Sequence, residues 1–175
     1  NRFGHVSPTT AIAVQEEIGA YLSAQDLILD GGAAQVGLES TIIDCTGDAP
    51  RILRPGAITK GMIEEAISLK VSEVDTSTIR VSGSLEKHYA PKCKIHLEKQ
   101  EIEGAAFFAM GNIETPNGME RLGAPFTLQE FARTLYSAFR LADQKGFTSL
   151  VVNSPKGDGI AVAIRERLEK AAQGR

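Results

Sequence analysis

Short apolar runs alternate with amphipathic helical stretches through the second half of the chain, and no other feature restricts the fold as much. Lys94 to Leu97 reads as a strand, Ala105 to Met110 as a buried apolar run stopped by Gly111-Asn112, and Pro116 to Gly123 as a loop. Phe126-Thr127-Leu128-Gln129-Glu130 then carries a capping box, in which Thr127 accepts from the N–H of Glu130 and the Glu130 carboxylate reaches back to Thr127. Phe131, Leu135 and Ala138 continue that helix towards Gly146. Leu150 to Val152 is a strand, and Ile160 to Ala172 is a final amphipathic helix with Ile164 and Leu168 facing inward. Strand, helix, strand, helix over short connections predicts an α/β fold with a parallel sheet, a small Rossmann-like unit. Lys156-Gly157-Asp158-Gly159 lacks the full glycine pattern of a phosphate turn, so Asp158 is expected to cap the last helix.

The first half has a different rhythm. Ser7 is a good N-cap and Pro8 suits a first helical turn; Ala11, Val14, Ile18 and Leu22 recur at helical spacing, which predicts a helix from Pro8 to Ser23. Leu27 to Leu29 reads as a strand stopped by Asp30-Gly31-Gly32, and Ser40 to Asp44 and Arg51 to Arg54 as two more, with Pro55-Gly56 ending the last. Thr59 caps a short helix through Met62, Ile63, Ala66 and Ile67. From Val71 to Ser84 the periodicity dissolves, although Val71, Ile79 and Val81 suit a short extended piece. The expected organisation is a first unit over 1–70, a linker over 71–91 and a second unit over 92–175.

Composition removes several function classes. Nineteen Lys+Arg against 22 Asp+Glu give a net charge of −3 with no basic block, so no nucleic-acid patch is evident. Cys45 and Cys93 are far apart, and His5, His88 and His96 show no CxxC or HExxH spacing, so no metal site is expected and the thiols read as free in a reducing compartment. No apolar run approaches membrane-spanning length and no signal segment is visible, which makes a soluble cytoplasmic protein the expectation. Asn1 to Gly4 reads as mid-domain loop sequence, so the chain is expected to be a fragment of a longer one.

Four stretches carry chemistry. In Asn1-Arg2-Phe3-Gly4-His5-Val6-Ser7-Pro8-Thr9-Thr10, the Ser7 hydroxyl and the helix start suit a phosphate or carboxylate, although Ser7 alone is as well explained as a helix cap. Gly37-Leu38-Glu39-Ser40-Thr41-Ile42-Ile43-Asp44 offers hydroxyls, and Arg51-Ile52-Leu53-Arg54-Pro55-Gly56 offers a forked donor for phosphate or carboxylate. Singly, a polar strand end and a solvated charge explain these two as well. In Ser82-Gly83-Ser84-Leu85-Glu86-Lys87-His88-Tyr89-Ala90-Pro91-Lys92 the His-Tyr pair is either an anchor that packs the linker down or a lid over a ligand.

In this order and spacing the four stretches resemble the threonylcarbamoyl-AMP synthases that join a YrdC-like domain to a smaller C-terminal α/β domain. Asn-x-x-Gly-x-x-Ser-Pro-Thr continues that family's Ser-Ala-Asn motif, of which Asn1 is present; Asp30-Gly31-Gly32, Gly37 to Ile43 and Leu53-Arg54-Pro55-Gly56 match next, and His88-Tyr89-Ala90-Pro91 matches the interdomain signature. The resemblance is specific over residues 1 to 92 and agrees only in pattern beyond them. It implies that 1–70 is the C-terminal part of a YrdC-like catalytic domain and 92–175 an accessory domain. It further implies a nucleotidyltransferase that makes threonylcarbamoyl-AMP and pyrophosphate from L-threonine, bicarbonate and ATP with Mg²⁺, for t⁶A modification of tRNA by a downstream transferase.

Carried over by position, Asn1, Ser7, Arg54, His88 and Tyr89 would contact the nucleotide, with Arg54 on its phosphates, and Ser40 the threonine carboxylate or carbamate. Adenylation needs oriented donors more than a nucleophile, and no catalytic base is visible. The family's phosphate-binding Lys-x-Arg segment is not among these residues, and the linker departs from the Pro-Gly-Met that many relatives carry before His-Tyr. The chain is therefore expected to depend on the missing N-terminal half of its first domain and to be inactive alone. Two other readings remain: the C-terminal region as a non-catalytic regulatory or docking module, and a carbamoyl transferase related to hydrogenase maturation, which the linker signature and the absent cysteine-rich segments disfavour.

Overall fold

A computed structural model describes residues 1–2, 4–72, 79, 81–83, 87–98 and 101–174. The linker positions 73–78, 80 and 84–86, and Phe3 of the first motif, lie outside them. In chain order the elements are α1 (Ala11–Ile18), β1 (Ile42–Asp44), β2 (Arg51–Arg54), α2 (Lys60–Ile67), β3 (Lys94–Leu97), β4 (Ala106–Phe108), β5 (Glu120–Gly123), α3 (Leu128–Gln144), β6 (Ser149–Val152) and α4 (Ile160–Ala172), with a 3₁₀ turn at Gly19–Tyr21.

The predicted parallel sheet is present. Its strands run in the order β3-β6-β4-β5, each pair parallel, so β6 inserts between β3 and β4, with β5 at the edge. Strands covered on both faces read as unbroken apolar runs, which is why Ala105 to Ala109 shows no alternation. Ile95, Ala106, Phe108, Leu150 and Val152 pack on Phe131, Leu135, Phe139, Ile164 and Leu168 of α3 and α4. Ala105, Phe107, Ala109 and Val151 face the other way, under Ile102, Ile113 and Met119. Burying each such Phe, Leu or Ile contributes about 1.5–3 kcal/mol, so this layer dominates the fold.

Several local expectations are corrected. The first helix starts at Ala11 and not Pro8, because Thr10 caps it, accepting from the Ala13 N–H at 3.2 Å; the Ser7 side chain is committed elsewhere. Residues 27–29 form no strand: Leu27 and Leu29 are 83% and 88% exposed, and among the described residues no neighbouring strand supplies a ladder. In the first half β1 pairs, among the described residues, only with β2, antiparallel. Pro116 to Gly123 is not all loop, since Glu120–Gly123 forms the sheet edge beside β4; its polar sequence hid it, as edge strands often do. At α3 the Glu130 carboxylate accepts from the Phe126 N–H (2.8 Å), one residue earlier than a capping box requires. Asp158 does not cap α4 through its side chain; Gly159, with φ 65°, holds that position, and the Asp158 carbonyl accepts from Ala161.

Threads of polar contact join the two halves. The Asp143 carboxylate on α3 accepts from the backbone N–H groups of Lys92 and Cys93 (2.8–2.9 Å), which fixes the end of the linker. Arg140, one turn earlier, donates to the Val6 carbonyl at 2.6 Å and lies 3.7 Å from Glu17. The Gly4 carbonyl accepts from Ala90, so the first loop and the linker run side by side. Gly37 lies so close to α3 that a Cβ there would sit 2.4 Å from the Arg133 Cα, and its φ of 79° is left-handed.

Candidate functional site

The four motif stretches meet around the ion pair of Glu39 and Arg167, the arginine coming from α4. Arg167 falls at the spacing of Ile164, Leu168 and Ala171, so the periodicity that buries those residues carries a guanidinium into the core, where it is 0% exposed. An arginine there must be paired on most of its donors. Its Nε donates to Glu39 Oε2 at 2.7 Å, its Nη2 to the Pro55 carbonyl at 3.1 Å, and its Nη1 to Glu166. The guanidinium lies 5.2 Å from the centre of the Tyr89 ring, over its face.

Glu39 is met from other sides as well. The Ser7 hydroxyl donates to its Oε1, and the Tyr136 hydroxyl of α3 to both oxygens, at 3.1 and 3.0 Å. Burial alone would raise the Glu39 pKa; the charge and hydrogen bond of Arg167, with the Ser7 hydroxyl, outweigh it and hold the carboxyl below the usual carboxylate range. Burial, reinforced by the Glu39 charge, pushes the Tyr136 phenol well up, so it stays a donor.

Arg54 and Ser40 form the adjoining part. Arg54 ends β2 buried, at 6% exposure, and donates from Nε and Nη2 to the Ser40 carbonyl (3.0 and 2.8 Å), from Nη2 to Ser40 Oγ (3.3 Å), and from Nη1 to the Ser82 carbonyl at 2.9 Å. It is not a solvated charge: it struts the start of β1 against the linker. Ser40 itself is exposed. Gly56 allows this approach, because a Cβ there would lie 2.5 Å from the Thr41 nitrogen.

The linker closes over the cluster. Tyr89 has a φ of 61°, an uncommon left-handed setting for a bulky residue, and it is buried at 1% exposure, 6.0 Å from the Tyr136 ring in a stacked arrangement. His88 sits against it with ring centroids 4.0 Å apart. Of the anchor and lid readings, this arrangement has the form of the anchor. Among the described residues the buried Tyr89 hydroxyl has no hydrogen-bond partner; it lies directly beneath Gly83, where a Cβ would come within 2.0 Å of it. Lys170, one turn beyond Arg167, donates to the Gly83 carbonyl and pairs with Glu166. Burial, then the neighbouring Lys170, Arg167 and Arg54 charges, lower the His88 pKa against the pull of Glu39.

Ser7, Ser40, Arg54, His88 and Tyr89 are thus brought together, while Asn1 is exposed at the edge of the first loop, its amide donating to the His5 carbonyl at 2.7 Å. Glu39, quoted within its motif but given no role there, and Tyr136, Arg167 and Lys170 were not singled out by sequence. A cleft of about 570 Å³ opens nearby between Pro55, Gly56, Thr59, Lys60, Asp158 and Gly159, but none of the five gathered residues lines it. The chemistry and not the volume therefore marks the site. No group of three His, Cys, Asp or Glu among the described residues is placed to hold a metal, and no helix among them is long and apolar enough to cross a membrane.

Residues 58–173 match the family model described as the C-terminal domain of threonylcarbamoyl-AMP synthase, and residues 1–56 the one described as telomere recombination. Threonylcarbamoyl-AMP synthase of Bacillus subtilis is 30% identical over 100% of the chain and 56% of its own length; that of Pyrococcus abyssi is 29% identical over 98% and 56%. The crystal structure of P. abyssi Sua5 complexed with L-threonine aligns with a TM-score of 0.78 at 27% identity, covering 99% of the chain and 56% of that structure. The chain spans about half the length of the curated relatives it matches.

Proposed function

We propose that this chain, which belongs to the threonylcarbamoyl-AMP synthase family, supplies one wall of the site where L-threonine, bicarbonate and ATP become threonylcarbamoyl-AMP and pyrophosphate. One observation carries the reading: a serine hydroxyl in the loop before α1, a serine just before β1, an arginine at the end of β2 and a His-Tyr linker come together around one buried charge network. In the reaction the threonine amine condenses with bicarbonate to a carbamate with loss of water, the carbamate oxygen attacks the α-phosphorus of ATP, and pyrophosphate leaves with the electron pair of the broken P–O bond. Such a step needs preorganised donors for developing charge on phosphate.

Exposed Ser40 takes the threonine carboxylate or carbamate, and Ser7 with Asn1 the nucleotide. Arg54 already points Nη1 at the Ser82 carbonyl; a phosphate oxygen takes that place when the linker shifts, which couples nucleotide binding to the position of His88 and Tyr89. ATP enters as its magnesium complex, and the product passes to a transferase that modifies tRNA. The region from residue 92 onward contributes Tyr136, Arg167 and Lys170 as braces, which supports a docking role for that region within the enzyme rather than a separate function.

The Lys-x-Arg segment that holds phosphates in this family is not among the 175 residues, so the chain alone turns over no substrate. Pyrophosphate release from ATP, L-threonine and bicarbonate by the pure chain should stay at background. Turnover above it contradicts this part of the proposal.

A further inference from the structure

We infer that Arg167 is a positioning residue for this site: from the C-terminal helix it fixes Glu39, the Pro55 carbonyl and the Tyr89 ring, and through Glu39 the Ser7 hydroxyl. The inference rests on the reading above and extends it to a side chain that touches no substrate. Three of the four motif stretches are held by this one guanidinium, and the fourth is reached through its ion pair with Glu39. The next turn of the same helix holds the linker, since Lys170 donates to the Gly83 carbonyl and Glu166 accepts from both Arg167 and Lys170.

Stability alone does not account for this choice of residue. Burying the Arg167 charge against the largely buried Glu39 costs desolvation comparable to their attraction, and an apolar pair of similar volume in such a place is often neutral or stabilising. What the guanidinium supplies is direction: a planar fork with five donors fixes several acceptors relative to one another, which neither a methyl-lined interface nor a lysine does. Here the acceptors lie on separate segments of the first half and the donor lies on α4, so the arrangement of the motif residues follows the docking of α4. A misplacement of about 1 Å in such a site costs on the order of a hundredfold in rate.

The test compares Arg167→Met and Arg167→Lys with Arg121→Met. Arg121 bonds the carbonyls of Ala109, Met110 and Ile113 on the far side of the sheet, so its loss destabilises the same half without touching the motifs. Hydrogen exchange is followed in peptides spanning 4–10, 37–44, 52–58 and 87–92, and L-threonine affinity by calorimetry. In Arg167→Met, exchange should rise in all four peptides by roughly tenfold or more, a local loss of about 1.4 kcal/mol, while Arg121→Met of similar melting temperature leaves them unchanged. Threonine binding should weaken with the first variant and not the second.

Arg167→Lys keeps the charge and loses the fork; should Arg167→Met fail to fold, the lysine variant carries the same expectation at smaller size. Equal exchange in Arg167→Met and Arg121→Met, or unchanged threonine affinity in Arg167→Met, overturns the inference. If the wild-type chain binds no threonine at all, the substrate reading falls, and the four-peptide exchange pattern alone decides whether Arg167 positions these segments.

Discussion

Glu39 holds a negative charge where little water reaches it, and the donors around it set what its loss costs. Replacing Tyr136 by Phe removes one donor to the carboxylate while the others remain, so it should cost about 1 kcal/mol of stability by chemical denaturation. Glu39→Gln removes one of the two carboxylates paired with Arg167 while Glu166 remains, and should cost about 1–3 kcal/mol. The pH dependence follows from the same group. Its folded pKa lies below the ordinary carboxylate value, so its stabilisation is complete above that value, about 4.3, and is lost as the pH falls through the lower folded one. The lowered His88 acts in the same direction at higher pH, because the unfolded chain takes up a proton near pH 6.5 (approximately the free histidine value) before the folded one does. Stability measured from pH 7 downward should therefore decline first just below neutrality and again below about pH 4; a profile flat across both ranges contradicts the assigned burial. Arg167 was legible in principle as an arginine inside an apolar stripe, Ile164-x-x-Arg167-Leu168, but a charge at such a position reads as a snorkelling side chain until its partner is known. The partner, 128 residues away in sequence, is not visible from periodicity.

Helices and buried strands were read from sequence far better than edges and loops, for a physical reason. Ile160–Ala172 and the Thr59 and Thr127 caps match because each is settled by neighbours within one or two turns. Leu27 to Leu29 has the composition of a strand, yet a strand exists only beside another, and no partner lies there among the described residues. Glu120–Gly123 is the opposite case, a polar stretch recruited to the sheet by β4. The motif glycines behave alike: the pattern places Gly37 without a reason, and the reason is contact with α3. Gly37→Ala combines a left-handed φ with a Cβ 2.4 Å from the Arg133 Cα, so it should destabilise by more than about 1 kcal/mol and loosen the segment that carries Glu39 and Ser40. Thermal unfolding of that variant checks it, and an unchanged midpoint would show that the segment does not rest on α3.

Across the molecule, the two halves share one apolar cluster in which Val6 and Tyr89 pack with Phe131, Tyr136 and Leu168. The linker is anchored at its far end by Asp143 and over the cluster by Lys170, so the C-terminal sheet and helices act as the platform on which the motif residues are arranged. The α/β class is legible in the order of the elements, and a common site for the four stretches only through the family resemblance; the platform is not, because its polar contacts join residues that no local pattern links. The most direct check is an NMR titration of the isotopically labelled chain with L-threonine and, separately, with magnesium-ATP. Saturable shifts at Ser40 and Thr41 with threonine, and at Ser7, Arg54 and Tyr89 with the nucleotide, are the predicted result. Signals that move only within residues 94–172, or no movement with either ligand, would contradict a substrate wall on this face.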